Sequence, residues 1–170
     1  SVTQPDGKVI LVGNVKPDFD SKRFMALARF NPDGSLDVTF GDQGKVATEY
    51  GRLNDAKGSG IALQPDGKIV VAGQVSGQPL AATSDTSGIL TDSKMTLTRY
   101  HPNGSLDLAF GTGGKLTLAV PGASNSWASD VVLQSDGKIL VVGNAIIGSY
   151  QWFVISRHHL DGSLDTSFDG

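Results

Sequence analysis

The chain contains no cysteine among its 170 residues. This absence excludes disulfide bonds, thiolate chemistry and cysteine-ligated zinc sites. Charge is modest, with a formal net charge of −3, so there is no basic footprint and nucleic acid is not an expected partner. Long apolar runs are also lacking. Stretches such as "VILV" at 9–12 are far too short to cross a bilayer, so no membrane span is expected.

Glycine, by contrast, is abundant, with 22 copies. So many glycines without a collagen period indicate many tight turns and therefore an all-β protein. The length suits one domain, which we assign to residues 1–170. The chain begins with Ser1 rather than Met and shows no signal peptide, so a processed product or an excised fragment is expected.

Three tandem repeats cover almost the whole chain. "QPDGKVILVG" at 4–13 returns at 64–73 and 134–143, and "NPDGSLDVTF" at 31–40 returns at 101–110 and 159–168. Internal repeats of this length are typical of solenoids and propellers. The units run over about 1–50, 51–120 and 121–170, and the first and last are incomplete.

Each unit is predicted to contain four short strands. The second, such as "KIVVAG" at 68–73, is an unbroken apolar run expected for a strand covered on both faces. The third alternates, with Met25, Leu27 and Arg29 on one face and small residues on the other. Four-stranded antiparallel units repeated in tandem predict the blades of a β-propeller.

The phrases "LQPDGKIVVAG" and "LTRYHPNGSLDLAFGTGGK" resemble the delta-60 repeat of bacteria. The match covers all three units. The resemblance implies a β-propeller in a surface or secreted protein, and it implies no particular molecular activity.

The repeated "PDGK" and "PDGS" phrases are predicted to be turns, in which Pro presets φ and Gly takes a positive φ. A calcium loop is the alternative, because Asp33 and Asp37 lie four residues apart. The middle unit, however, has Asn103 at the first of these positions, and no unit has acidic ligands at alternate positions. The structural interpretation is therefore favoured.

Three Arg–Asp pairs recur at a spacing of eight residues, and each Arg lies on the apolar face of a third strand. Such an Arg needs a partner for its guanidinium, so three equivalent structural ties are predicted. The pairs are Arg29–Asp37, Arg99–Asp107 and Arg157–Asp165, and Phe40, Phe110 and Phe168 are predicted to be wedges between blades. His101 in the second unit and His158 and His159 in the third fall near turns, and they do not predict a shared zinc site.

Both repeated turns are predicted to lie at one end of the blades. The varied connections at 14–23, 51–60, 74–94, 121–130 and 144–151 then lie at the other end, where repeat proteins tend to carry function. The aromatic residues there suit sugar or peptide binding, and covering the blade edges is an equally open role for them. The candidate binding residues are Glu49, Tyr50, Asp55, Asn125, Trp127, Asp130, Tyr150 and Trp152.

Three blades make an arc, whereas propellers have four to eight blades. An open arc exposes an apolar blade face at each end. A homodimer that closes a six-bladed ring by twofold symmetry is therefore predicted. The rival is a fragment of a longer single-chain propeller.

Two classes of function remain open beside a purely structural filler role. The favoured one is an extracellular or cell-surface bacterial module that binds a glycan, a peptide or another protein and needs no cofactor. The alternative is a calcium-assisted hydrolase of esters, lactones or phosphotriesters at the channel mouth. Its metal ligands would be Asp55, Asn125 and Asp130.

Overall fold

A computed structural model describes residues 1–18, 22–51, 54–77 and 93–168. Within them the chain forms eleven strands and no helix. The strands are β1 (Val2–Thr3), β2 (Val9–Val15), β3 (Phe24–Phe30), β4 (Lys45–Thr48), β5 (Asn54–Leu63), β6 (Ile69–Gly77), β7 (Ser93–Tyr100), β8 (Lys115–Thr117), β9 (Ala123–Leu133), β10 (Ile139–Ile147) and β11 (Tyr150–His158). No helix that could span a membrane occurs in these ranges.

The strands form three separate antiparallel sheets, each in the order of the sequence. Blade 1 is β1-β2-β3-β4, blade 2 is β5-β6-β7-β8, and blade 3 is β9-β10-β11 in the described part of the chain. The innermost strands β5 and β9 contact each other, as do the faces of successive blades. The all-β propeller architecture predicted from the repeats is confirmed, as an arc of three blades.

The repeated turns lie together at one end of the blades, which we call the rim. Gly7 and Gly34 have φ values of 82° and 85°, as their turn positions require. A Cβ built on Gly7 lies 3.2 Å from the Pro32 ring, so the "PDGK" and "PDGS" turns of one blade touch. The prediction that these phrases are turns at a common end is confirmed.

Three of the connections expected to be irregular are largely strand, and in 144–151 only Gly148 and Ser149 lie outside β10 and β11. The stretches 51–60 and 121–130 contribute most of β5 and β9, which are ten and eleven residues long. Register shifts interrupt the two-residue period of both strands. The shift in β5 lies between Gly58 and Gly60. The two shifts in β9 lie opposite Val142/Gly143 and Ile146/Ile147 of β10. Small residues allow neighbouring blades to approach here, so no apolar run marks these strands in the sequence.

The blades pack through two different faces. The back face of each blade, turned toward the next blade, carries Met25, Leu27 and Arg29 in blade 1, with Met95, Leu97 and Arg99 in blade 2 and Phe153, Ile155 and Arg157 in blade 3. The front face carries Leu11, Ala26 and Ala28 in blade 1, with Val71, Thr96 and Thr98 in blade 2 and Val141, Val154 and Ser156 in blade 3.

Each of the two seams between blades has its own apolar core. The first joins the back of blade 1 to the front of blade 2 through Met25, Leu27, Ile69 and Val71. The second joins the back of blade 2 to the front of blade 3 through Met95, Leu97, Ile139 and Val141. Back packs on front in both, so the contact between blades is head-to-tail.

Candidate binding site

The three predicted Arg–Asp pairs form at the rim. The Arg29, Arg99 and Arg157 Nε atoms donate to the Oδ2 atoms of their aspartates at 2.7, 2.8 and 2.8 Å. These aspartates are all buried. The prediction of three equivalent structural ties is confirmed.

A lysine joins each pair, which the sequence analysis missed. Lys8 Nζ lies 2.9 Å from Asp37 Oδ2, and Lys68 and Lys138 make the equivalent contacts at 3.3 and 3.0 Å. The signal was present, because each lysine follows the glycine of a repeated "DGK". We call each set of Arg, Asp and Lys a rim cluster.

The rim clusters keep their carboxylates ionised. A hydroxyl hydrogen bond from Thr39, followed by the Lys8 contact, holds the pKa of Asp37 far below its ordinary value. Ser167 and Lys138 do the same for the pKa of Asp165. Burial raises the pKa of Asp107, but the Ala109 N–H, Arg99 and Lys68 outweigh it and lower that pKa overall. These groups are tied to one another, which suits a structural role and not acid–base chemistry.

The repeated geometry of the rim also crosses the seams. The Arg29 guanidinium stacks on Phe40 at 4.6 Å, and its Nη1 donates to the Pro102 carbonyl of blade 2 at 2.7 Å. A Cβ built on Gly104 would lie 3.0 Å from the Phe40 ring. Blade 2 repeats the arrangement, with Arg99 on Phe110 at 4.5 Å and Arg99 Nη1 bonded to the Leu160 carbonyl of blade 3. Phe40 and Phe110 are therefore wedges between blades, as predicted.

Glu49 and Tyr50, two of the candidate binding residues, belong to the first seam. Tyr50 is half-buried, and its hydroxyl bonds the Thr96 and Thr98 hydroxyls of blade 2. Burial raises the pKa of Tyr50. Glu49 pairs with Lys22, which lowers the pKa of its carboxyl. Tyr50 is not the exposed aromatic residue that the sequence analysis expected, because its ring fills space over small side chains.

Asp55 and Asn125 lie at matching places in β5 and β9 and perform the same task. Asp55 Oδ1 accepts the backbone N–H of Arg23 at 2.7 Å, and Asn125 Oδ1 accepts that of Ser93 at 2.9 Å. Each side chain thus caps the start of the third strand in the preceding blade. Asp55 is buried and also contacts the Arg23 guanidinium at 3.2 Å.

Asp130 and Trp127 lie farther along β9. Asp130 is exposed, accepts the N–H of Val131 at 2.8 Å, and lies against Gly60 of β5. Trp127 is half-buried and paired with Asn144. Asp55, Asn125 and Asp130 thus each have different partners. Among the described residues, no three His, Asp or Glu side chains group as a metal site requires.

Tyr150 and Trp152 form the most exposed aromatic surface at the end opposite the rim. They lie on the β10–β11 hairpin, two residues apart on one side of β11, with 72% and 56% of their surfaces exposed. Lys94, at the position of Trp152 in blade 2, is exposed although that blade has four strands. The counterpart in blade 1, Phe24, is half-buried, so solvent reaches this position in both four-stranded blades.

His158 and His101 contact groups of their own blades. His158 is buried, with Nδ1 at 3.1 Å from the Gly162 carbonyl and Nε2 at 3.1 Å from Ser156 Oγ. Burial lowers the pKa of His158. His101 Nε2 lies 3.8 Å from Asp107 Oδ1.

The connection at 74–94 was predicted to carry function together with the other varied connections. Most of it, residues 78–92, lies outside the described residues.

Blade 3 exposes a second apolar surface, which is one of the two open faces that the sequence analysis predicted for an arc of three blades. Its back face shows Phe153 and Ile155, at 71% and 44% exposure, while their blade 2 counterparts Met95 and Leu97 are at 1% and 0%. The repeat indicates this apolar face, because the equivalent back faces of blades 1 and 2 are apolar where the next blade covers them.

The sheets, the rim clusters and the head-to-tail seams define a tandem-repeat β-propeller. A comparison with protein families agrees, because the model of a family described as "Domain of unknown function (DUF5122) beta-propeller" matches residues 4–40, 64–110 and 134–168. These segments cover more than half of the chain, so the chain belongs to this family. Each begins at the repeated Gln and ends at the repeated Phe. No curated protein matches the chain.

Proposed function

We propose that this propeller is a binding module of the delta-60 repeat type, which engages a glycan or peptide through Tyr150 and Trp152. The observation that carries the proposal is the exposure of these two rings, 72% and 56%, on one side of a hairpin. Large aromatic side chains that remain exposed on a rigid scaffold are favoured binding anchors. The resemblance to delta-60 repeats supports an extracellular or cell-surface location in a bacterium.

The geometry of the hairpin supports a ligand of repeating units. Residues two apart on a strand are separated by about 6.7 Å, so the two rings offer neighbouring platforms for successive sugar rings or peptide groups. Nine residue pairs join β10 to β11, and this regular pairing holds the platforms in place. A preorganised surface loses less entropy when it binds.

The test is a glycan array and a peptide library probed with the wild type, Trp152→Ala and Tyr150→Ala. We expect a ligand whose affinity falls at least about tenfold in each variant. Leu108→Ala is the matched control, because Leu108 is 71% exposed but lies at the rim. Equal binding by wild type and both aromatic variants would refute the role of the hairpin.

We further propose that the module works as a homodimer, in which a second copy covers the open ends of the arc. The exposed back face of blade 3 supports this partner. The calcium-assisted hydrolase has no comparable support, because Asp55 and Asn125 are already bonded to backbone N–H groups of neighbouring blades.

A further inference from the structure

We infer that the back face of blade 3 binds the front face of blade 1 in a second copy of this chain, with Arg157 and Phe168 engaging the "PDGS" turn at Pro32 and Gly34. This inference rests on the proposed homodimer and gives its interface. Two such contacts, related by a twofold axis, close six blades into a ring.

The two faces are exposed where their counterparts are buried. On the back of blade 3, Phe153 is 71% exposed and Val132 is 52% exposed, while the blade 2 counterpart Ala62 of Val132 is 8% exposed. On the front of blade 1, Leu11 is 44% exposed, while Val71 and Val141 at the same position are fully buried. Contiguous apolar surfaces of this kind mark interfaces.

The internal seams show which face covers which. In both, a back face packs on a front face. The two open faces of this arc are one back and one front, so they are the matching halves of a third seam. In the dimer, the open back face of blade 3 therefore meets a front face, and the open front face of blade 1 meets a back face, as in both internal seams.

Residues of the rim form the polar part of the proposed interface. Arg29 and Arg99 each reach a turn carbonyl in the following blade, at Pro102 and at Leu160. Arg157 has the same bond to its own aspartate and the same stacking on Phe168, at 4.5 Å. Pro32 holds the repeat position of Pro102 and Leu160, so its carbonyl in a second copy is the equivalent acceptor for Arg157 Nη1.

Glycine at the turn completes the fit. A Cβ on Gly104 or Gly162 would press on the Phe40 or Phe110 ring of the preceding blade, at 3.0 and 2.7 Å. The same Cβ on Gly34 would meet nothing within 4 Å. Among the described residues no ring covers Gly34, and Phe168 of a second copy is the equivalent ring.

The first measurement is the mass of the wild-type chain by size-exclusion chromatography with light scattering over a concentration series. We expect a species of twice the 17.7 kDa of one chain. A monomer at every concentration would overturn both the homodimer and the interface. Open-ended polymers would overturn the closed ring, because head-to-tail contacts that do not close form filaments.

Two charge variants then locate the interface. Leu11→Lys alters the front of blade 1, and Phe153→Asp alters the back of blade 3. Both side chains are exposed in the single chain, so each variant is expected to fold, with circular dichroism as the check. We expect each to weaken dimerisation at least about tenfold, whereas Leu108→Lys at the rim leaves it unchanged. A dimer that both variants leave intact would overturn the interface while sparing the homodimer.

Mixing the two variants tests the head-to-tail arrangement. In a mixed dimer, one contact joins two unaltered faces, and the other brings the two introduced side chains together as opposite charges. We therefore expect dimers to return on mixing Leu11→Lys with Phe153→Asp, and failure to return would overturn the head-to-tail arrangement.

Arg157→Lys adds a separate readout of the polar part of the interface. Lysine cannot make both bonds of the guanidinium, so this variant is expected to weaken dimerisation while its own aspartate keeps a cationic partner. Unchanged dimer affinity in Arg157→Lys would exclude the Pro32 contact.

Discussion

Phe110→Ala is expected to destabilise the chain by about 4 kcal/mol, because a buried Phe replaced with Ala typically costs about 3–5 kcal/mol through lost transfer energy and the cavity left behind. Phe110 is fully buried in the second seam, under the Arg99 guanidinium and against Gly162. The cavity has little means to collapse, because one wall is a sheet and the other is a turn whose Gly162 is fixed at a φ of 94°.

Urea unfolding followed by far-ultraviolet circular dichroism measures this loss, with the slope expected to stay unchanged. In thermal unfolding it corresponds to a Tm lower by about 8–16 °C for a chain of this size. Phe168→Ala is the matched control, because Phe168 holds the same repeat position on the open face of blade 3. We expect that variant to lose less than about 1 kcal/mol at concentrations where the chain is monomeric. A Phe110→Ala loss as small as the control would refute the wedge.

Three further predictions concern the polar contacts. Ala109→Thr gives Asp107 the hydroxyl that Thr39 gives Asp37 at 2.7 Å; it should stabilise by about 0.5–1 kcal/mol and lower the pKa of Asp107 in an NMR titration, whereas Ala109→Val should do neither. The rim aspartates have lowered pKa values when folded, so their stabilisation is present above the ordinary carboxylate value of 3.8 and is lost as pH falls below it; thermal unfolding from about pH 7 to about pH 2 measures this, and a flat profile would contradict it. Tyr100→Phe strands the buried Thr48 hydroxyl, now bonded at 2.7 Å, and should cost about 1–2 kcal/mol in urea unfolding, with partial recovery on adding Thr48→Val.

The parts of the fold that repeat in sequence were predictable from sequence. The turn glycines, the Arg–Asp spacing and the alternation of the third strand recur in three copies, and each copy checks the others. The start of the inner strands β5 and β9 could not be predicted in this way. Ala56, Gly58 and Gly60 lie where blades approach closely, and small residues with a bulge leave neither an apolar run nor a clean two-residue period.

The candidate site was harder to predict, because its residues are the ones that differ between copies. A polar residue such as Asp55 reads in sequence as a ligand or as a cap, and only the Arg23 N–H at 2.7 Å decides between them. Tyr50 likewise suits a binding surface until its hydroxyl is found on the threonines of the next blade. Contacts across a seam depend on how blades are placed, which local sequence does not encode.

The three copies do allow exposed side chains to be sorted by cause. A side chain that is exposed although its counterpart is buried, as Phe153 is relative to Met95, has no neighbouring blade over it in the described part of the chain. One whose counterparts stay accessible in four-stranded blades, as the exposed Lys94 and the half-buried Phe24 do for Trp152, keeps part of its surface open to solvent when a neighbouring blade is present. Successive residues of a strand point to opposite faces, so Trp152 and Phe153 serve different surfaces although they adjoin in sequence. Ligand binding and dimerisation should therefore separate: Trp152→Ala should weaken the ligand and keep the dimer, and Phe153→Asp should do the reverse.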